Sequence, residues 1–425
     1  MTRRGAVLAA VAALAACGDP GVPERVTLRV MTWAGDTEIA TEQRIADAFT
    51  ERHPDVEVVV ESASSHYQEK LLTSIAAGSP PAVFLLDGPD IPTFLDRGLT
   101  LDLTPYLEKV GYDRARVLPQ VLETFERSGR LYALPKDYTP MAIYVNRSVF
   151  RRFGVPLPSP DGWTRGEFLA TARALTRDTT GDGRTDVYAF DFPRNPYQWI
   201  PWVWSGGGDI LDPTGSRASG WLDSPETVET FRFLTDLVTE DGVTPGVQFV
   251  ASGDPAREAR FATGGQAMLL SGHWTLQLLT SSMGQALDEI GLAPIPHAEG
   301  HEPVTVLYAS GWAVPANVVH ERQALELAAF LSSEEAQRIR AGTRLAVPAF
   351  RDVAAELAEA DPSGLEAAFL REALRGRMTW GALVRDFHEV EEAIFEIMDR
   401  HLLRGEPLDE AASDVARRVD ALLAR

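Results

Sequence analysis

The feature that most constrains the fold is a regular alternation of apolar and amphipathic segments. Apolar runs at residues 26–31, 56–60 and 82–86 predict strands, and the segments between them, 41–52 and 67–77, have the apolar spacing of helices. Strands that alternate with helices in this order predict a parallel sheet with right-handed crossovers, and therefore an α/β fold. In such sheets ligands bind beyond the carboxyl ends of the strands.

Three side chains fall at that edge of the predicted sheet. Trp33 follows the first strand, Tyr67 closes the polar loop after the second, and Asp87 follows the third. Tyr67 could equally pack at the start of its helix, and Asp87 could cap the helix that follows it. We expect these residues, Trp33 above all, to contribute to a ligand site.

The beginning of the chain has the pattern of a bacterial lipoprotein. Arg3 and Arg4 precede an apolar run that ends in Leu-Ala-Ala-Cys at Cys17. This order predicts a signal peptide over residues 1–16 and a lipid on Cys17, followed by a tether over residues 17–25. Since the apolar run is too short for a permanent bilayer span, we expect an exported protein that is held to the membrane only by its lipid and faces the periplasm or the cell exterior.

Composition excludes several classes of function. The formal net charge of −21 makes nucleic acids and anionic lipid surfaces poor partners. Cys17 is the only cysteine, so disulfides and Cys-based zinc sites are excluded. The chain also lacks a Gly-x-Ser-x-Gly elbow, a His-Glu-x-x-His motif and a phosphate-binding loop, and no cofactor is expected. A glycoside hydrolase needs only two well-placed carboxylates, which 61 acidic residues cannot exclude.

A series of short motifs continues along almost the whole chain. They lie at residues 49–60, 67–87, 131–135, 143–146, 204–212, 261–268, 272–274 and 310–312. In order and spacing the series resembles the large extracellular solute-binding proteins of ABC importers, the family that includes maltose-binding and other sugar-binding proteins.

The resemblance implies a two-lobe, periplasmic-binding-protein-like α/β fold with a ligand cleft and a hinge between the lobes. By analogy the first lobe comprises residues 25–138 plus 311–345, and the second comprises 139–310 plus 346–425. The resemblance also implies a protein that binds a sugar and delivers it to an ABC permease and its ATPase, and a monomer is the plain expectation. A ligand shifts the closure of such lobes only if it contacts both of them.

The candidate ligand residues follow from the chemistry of a pyranose, whose flat C–H faces suit aromatic rings and whose hydroxyls suit carboxylates and guanidinium groups. Several of the nine tryptophans lie in predicted loops, although any one of them could instead belong to the core. Beyond the three residues at the strand ends, the candidates are Trp204, Gly207, Trp274, Gly311 and Trp312 in matching motifs, and Asp137, Tyr138 and Arg344 near the expected crossovers between lobes.

Two alternatives remain open. Asp178, Asp182 and Asp186 have the fourfold spacing of a calcium loop, but the third position is Thr and the twelfth is Ala189, so a turn capped by its own acids is the preferred interpretation. The ligand could also be a polyol phosphate or a peptide, or the chain could be a lipid-anchored glycoside hydrolase. A basic cleft would favour a polyol phosphate or a peptide, and cleavage of a bound sugar would establish the glycoside hydrolase.

Overall fold

The computed structural model describes residues 25–247 and 256–425. The predicted signal peptide, Cys17 and most of the tether lie outside the described residues. Among the described residues, no helix is both long and apolar enough to cross a bilayer.

The described residues form twelve strands and sixteen α-helices. The strands are β1 (Val26–Thr32), β2 (Val56–Ser62), β3 (Val83–Asp87), β4 (Glu126–Arg127), β5 (Arg130–Leu131), β6 (Leu134–Pro140), β7 (Ala142–Asn146), β8 (Met268–Ser271), β9 (Ile290–Ala293), β10 (Thr305–Ala313), β11 (Val347–Pro348) and β12 (Gly376–Met378). The helices are α1 (Asp36–Arg52), α2 (Tyr67–Ala76), α3 (Ile91–Asp96), α4 (Pro119–Phe125), α5 (Arg147–Phe153), α6 (Arg165–Leu175), α7 (Pro196–Ser205), α8 (Pro225–Thr239), α9 (Arg257–Ala262), α10 (Thr275–Met283), α11 (Glu321–Leu331), α12 (Glu334–Ala341), α13 (Arg351–Ala360), α14 (Leu365–Ala373), α15 (Phe387–Arg404) and α16 (Leu408–Leu423).

The larger sheet contains the predicted strand–helix alternation. Its strand order is β11-β6-β10-β3-β1-β2, and β12 pairs with β10. β1 runs parallel to β2 and β3, as the sequence predicts, whereas β10 is inserted antiparallel between β3 and β6. This inserted strand comes from a distant part of the chain, and it brings residues 305–313 next to the ends of β3 and β6.

A smaller sheet forms the centre of the second lobe. Its order is β8-β7-β9, with both pairs antiparallel, and the helices α5 to α8, α15 and α16 pack around it. Alternate residues of β7 point into different hydrophobic clusters: Ile143 belongs to the cluster of the second lobe, and Tyr144 to the cluster that includes the larger sheet. The chain thus builds two cores that meet along β7.

The two sheets are connected where β6 passes into β7. Only Met141 separates these strands, and its backbone N–H donates to the carbonyl of Val306 at 3.3 Å while Thr305 Oγ1 donates to its carbonyl at 2.6 Å. β10 therefore touches both lobes, at Thr305 and Val306 on the side of the second and along the rest of its length in the larger sheet.

The segment after residue 345 first returns to the larger sheet. β11 pairs with β6, and the Phe350 ring packs 5.7 Å from that of Tyr112. Asp352 at the start of α13 forms an ion pair with Arg116. The resemblance assigns everything after residue 345 to the second lobe, whereas these contacts join residues 347–352 to the first; the division between lobes remains a prediction.

Candidate functional site

Three polar side chains form a row across neighbouring strands of the larger sheet. In the strand register Ser310 on β10 pairs with Asp87 of β3 on one side and with Asp137 of β6 on the other. Because directly paired residues point to the same face of a sheet, all three side chains emerge together. Ser310 Oγ donates a hydrogen bond to Asp137 Oδ1 at 2.6 Å. This row forms the floor of a cleft.

The cleft has a volume of about 350 Å³ and opens to solvent on one side. It is enclosed by residues of both expected lobes. The lining residues are Trp33, Gly35, Glu38, Asp87, Lys136, Asp137, Thr139, Trp274, Tyr308, Ala309, Ser310, Leu345 and Ala346. The volume is in the range of small-molecule sites in proteins.

Trp33 is positioned by Tyr67. The two rings meet edge to face with centroids 5.2 Å apart, and the Tyr67 hydroxyl donates to the carbonyls of Leu85 at 2.6 Å and Met31 at 3.1 Å. Burial raises the pKa of Tyr67 above its usual value, so the hydroxyl keeps its proton and remains a donor. Tyr67 thus supports Trp33 from behind and does not line the cleft, which agrees with the packing alternative.

Trp274 reaches the cleft from the other lobe. It precedes α10 and is only partly buried. A side chain at Gly272 would overlap the Trp274 ring, since a Cβ there would lie 2.3 Å from Cζ3. Glycine at position 272 therefore leaves the space that this indole occupies.

A buried ammonium group lies at one end of the row. Lys136 Nζ contacts Asp137 Oδ2 at 2.8 Å and Glu38 Oε1 at 3.0 Å, with Glu42 Oε1 at 4.0 Å. Burial alone would lower the pKa of Lys136, but the three carboxylates raise it above its usual value, so the group stays charged. Behind it, Arg340 forms a two-pronged ion pair with Glu42 at 2.6 Å for both contacts.

Asp87 has a different environment. Its carboxylate accepts one hydrogen bond, from the Gly88 backbone N–H at 2.9 Å. Burial, together with the negative charges of Asp90 and Asp137, raises the pKa of Asp87 to about 7. Asp87 therefore caps the turn that begins at Gly88, as the capping alternative expects, and its second carboxylate oxygen remains available to the cleft.

Three predicted residues lie in the core of the larger sheet instead of the cleft. Tyr138 and Trp312 are fully buried, and the Arg340 guanidinium lies 5.5 Å above the Trp312 ring. A side chain at Gly311 would press against Ala133 and the carbonyl of Leu134. Trp312 is two residues beyond Ser310 on the same strand, where it is buried in the core and does not line the cleft.

The glycine-rich segment of the second lobe also has a packing role. Trp204 Nε1 donates to Asp209 Oδ1 at 2.8 Å, and the Arg377 guanidinium lies 4.3 Å from its ring. Gly207 adopts a positive φ of 82°, and a Cβ there would collide with the His301 ring. The missing side chain thus makes room for a histidine of the same chain, and neither Trp204 nor Gly207, both predicted ligand residues, lines the cleft.

Arg344 serves an ion-pair network next to the cleft. It contacts Asp361 at 3.2 Å and Glu366 at 3.1 Å, and Glu366 in turn meets the buried His273 at 2.7 Å. The network thus connects His273, which precedes Trp274, with Arg344, which precedes Leu345. Arg344 therefore positions two walls of the cleft without lining it.

The aspartate-rich loop is closed by its own backbone. Asp178 accepts from the N–H groups of Thr180, Gly181 and Gly183, and Asp186 accepts from Thr179. These hydrogen bonds lower the pKa of both carboxyl groups. Nowhere in residues 25–247 and 256–425 do three His, Cys, Asp or Glu side chains cluster as a metal site would require.

Several lining residues do not follow from the sequence reasoning. Glu38 was missed because α1 begins at Asp36, five residues before the predicted start, and Lys136 because it sits at a bulge where the register of β6 and β10 shifts. Tyr308 and Ser310 belong to the antiparallel strand β10, which the α/β alternation does not predict. The spacing of two residues between positions 308 and 310 is the only sequence signal that could have placed them on one face of a strand.

The chain is similar to known binding proteins over most of its length. The family model of bacterial extracellular solute-binding proteins matches residues 34–338. A binding protein of Brucella abortus is 26% identical over 256 residues, which are 57% of this chain and 56% of that protein. The galactooligosaccharide-binding protein of Bacillus subtilis is 23% identical over 325 residues, 75% of this chain and 72% of that one. The chain thus spans little more than half the length of the Brucella protein.

Solved structures confirm the two-lobe α/β fold. An ABC substrate-binding protein of Listeria monocytogenes, solved with cycloalternan, superimposes with a TM-score of 0.82 over 94% of this chain and 99% of that one, at 21% identity. The fold predicted from the resemblance and the family match therefore agree. The chain belongs to the family of bacterial extracellular solute-binding proteins.

Proposed function

We propose that this protein is the lipid-anchored, sugar-binding component of an ABC importer, and that it hands its sugar to the permease and ATPase of that importer. The observation that carries the proposal is a single cleft lined by two half-buried tryptophans, Trp33 and Trp274, and by carboxylates at its floor. No turnover is part of this function.

The chemistry of the cleft suits a pyranose. Indole rings offer flat apolar faces to the C–H groups of the sugar, and the Asp87 and Asp137 carboxylates accept hydrogen bonds from its hydroxyls. Lys136 and Ser310 hold Asp137 in one orientation, so little conformational entropy is lost when a sugar binds there.

The placement of the two indoles also suits a closing movement. Trp33 belongs to the first lobe and Trp274 to the second, and the lobes are joined at Met141 and along β10. A sugar held between the indoles contacts both lobes, so its binding energy favours the closed arrangement.

One observation favours a polyol phosphate as a second candidate ligand. α1 begins at the cleft wall beside Gly35, and the amino end of a helix attracts anions. The first turn of α1, however, carries Glu38, and the ammonium of Lys136 is already shared by Glu38 and Asp137. A phosphate would meet more negative than positive charge, so a sugar ranks first.

A glycoside hydrolase is less well supported. Its mechanism needs one carboxylic acid and one free carboxylate beside the scissile bond. Asp87 has a pKa near neutrality, but Asp137 is already bound by Lys136 and Ser310, so it is not a free carboxylate.

The first experiment is a thermal-shift screen of the purified chain with mono- and oligosaccharides, peptides and polyol phosphates, with product analysis of every hit. A ligand bound only by the folded state raises the unfolding midpoint by mass action. We expect a sugar that stabilises the protein and is recovered intact. Recovery of a cleaved sugar would move the hydrolase to first place, and hits confined to peptides or phosphates would contradict the proposal.

A matched variant distinguishes a loss of sugar binding in the cleft from a general loss of stability. Trp221 is also half-buried but does not line the cleft, so Trp221→Ala should retain the stabilising effect of the sugar that Trp274→Ala loses.

A further inference from the structure

The charges that line the cleft are unbalanced. Glu38, Asp87 and Asp137 are acidic, and among the described lining residues Lys136 is the only base. The Lys136 side chain is almost completely buried, and its ammonium already contacts the carboxylates of Glu38 and Asp137 within 3.0 Å. It has no capacity left to neutralise a further anion.

The layer beneath the cleft does not correct this imbalance. Nε and Nη2 of Arg340 each lie 2.6 Å from one carboxylate oxygen of Glu42, and Nη1 of Arg340 donates to the carbonyl of Leu331. The buried cluster of Glu38, Glu42, Asp137, Lys136 and Arg340 therefore contains three acids and two bases.

Asp87 lies apart from that cluster and has no cation of its own. Within the described part of the chain it forms no ion pair, and its one hydrogen bond comes from Gly88. His388, the nearest base on the opposite helix α15, lies 3.5 Å from Asp90, which also accepts from Gln68 at 2.8 Å. The titratable groups that face Asp87 are thus two further carboxylates, Asp90 and Asp137, one histidine that pairs with Asp90, and the Tyr308 hydroxyl, which donates to the Tyr197 carbonyl at 3.0 Å.

We infer that the cleft takes sugars bearing a positively charged amino group, with the ammonium bound by the Asp87 carboxylate and the sugar faces against Trp33 and Trp274. This inference rests on the proposed sugar-binding function and specifies its substrate class.

The physical reason is that a partly buried carboxylate without a counterion is costly, and a ligand ammonium supplies that counterion. Indole faces also attract cations, because the ring quadrupole is negative above and below the plane of the ring. A neutral sugar of the same shape gains the stacking but not the ion pair, so it binds more weakly.

The test uses pairs of sugars that differ only by the amine. Glucose is compared with glucosamine, galactose with galactosamine, and cellobiose with chitobiose, the β-1,4-linked dimer of glucosamine. Isothermal titration at pH 7 and low salt is expected to give at least a ten-fold preference for the amino sugar in one pair or more. Asp87→Asn, which has the same shape, should bring that ratio close to one.

Two further readouts identify the group responsible. Asp182→Asn, a matched change in an exposed loop outside the cleft, should keep the wild-type ratio. Binding of an ammonium also favours the ionised form of Asp87, so near pH 7 the binding of an amino sugar should release a proton from this carboxyl group. The release is measured as a binding heat that varies with the ionisation heat of the buffer. Asp87→Asn should abolish this proton release.

The failures of the inference and of the proposed function are distinguishable. If neutral members bind as tightly as their amino partners, or if no amino sugar binds while another sugar in the thermal screen does, the inference is wrong and the sugar-binding function stands. If no sugar of any kind stabilises or binds the protein, both are wrong. A preference that survives unchanged in Asp87→Asn also overturns the inference.

Discussion

Two settings of tryptophan in this molecule can be compared, the hydrophobic core and the wall of the cleft. In the core, Trp202 is fully buried and meets the rings of Phe168 and Phe190 edge to face, with centroids 5.2 and 5.8 Å away. At the cleft, Trp33 meets the Tyr67 ring edge to face, and both Trp33 and Trp274 are partly exposed. The difference teaches that an indole lines the cleft where a strand ends or a helix begins beside it, and packs against other rings where the helix that carries it is buried.

The largest expected effect comes from removing a core indole. Trp312→Ala should lower the free energy of unfolding by about 3–5 kcal/mol, because it leaves a large cavity under the Arg340 guanidinium. Equilibrium denaturation with urea measures the change. If the variant unfolds like the wild type but no longer binds sugar, Trp312 belongs with the cleft residues and the comparison fails.

A cleft indole should show the reverse pattern. Trp274→Ala should weaken sugar binding by about 10- to 100-fold, or roughly 1.4–2.8 kcal/mol, since one stacking face is lost. Its unfolding free energy should fall by less than that of Trp312→Ala, because the side chain is only partly buried. Titration calorimetry and denaturation of the same preparation compare the two quantities, and Trp221→Ala is the control for a half-buried indole outside the cleft. Normal binding by Trp274→Ala would remove this residue from the site.

The smallest effect concerns the pH dependence of stability. Since the pKa of Asp87 is raised to about 7 in the folded state, well above its usual value, the stability that this group contributes is present at low pH and is lost as the pH rises through 7. Glu372 has a similarly raised pKa of about 7, so the difference between wild type and Asp87→Asn isolates one group. The variant should gain stability relative to the wild type between pH 5 and 8. A constant difference over this range would mean that Asp87 titrates normally.

Sequence patterns predict the first lobe well because it follows a simple rule. β1, β2 and β3 begin within one residue of the predicted strands, and α2 begins at the predicted Tyr67. The amphipathic stripes over residues 225–239 and 321–331 likewise predict α8 and α11, and the Ser224 side chain caps the start of α8. The antiparallel insertion of β10 is not predicted from the residues, because strand pairing over such a distance has no local signal.

The candidate site is predicted only in part, for the same reason. Trp33, Asp87, Asp137 and Trp274 all line the cleft; Trp33 and Asp87 stand at the ends of strands and Trp274 at the start of a helix, whereas Asp137 lies in the middle of β6. Tyr138 and Trp312 are neighbours of lining residues in sequence but point into the core, because burial along a strand depends on which helices cover it. Their roles as ligand residues are therefore not supported, while those of the four lining residues remain a prediction.

The partial exposure of the cleft indoles has a spectroscopic consequence. All nine tryptophans lie in residues 25–247 and 256–425; six are buried, Trp33, Trp221 and Trp274 are partly exposed, and two of these three line the cleft. A solution quencher such as acrylamide should reach mainly these rings, and a bound sugar should shield two of them. In a Trp221→Phe background the quenchable part of the intrinsic fluorescence would come from the cleft alone, so the protein carries its own optical reporter of occupancy.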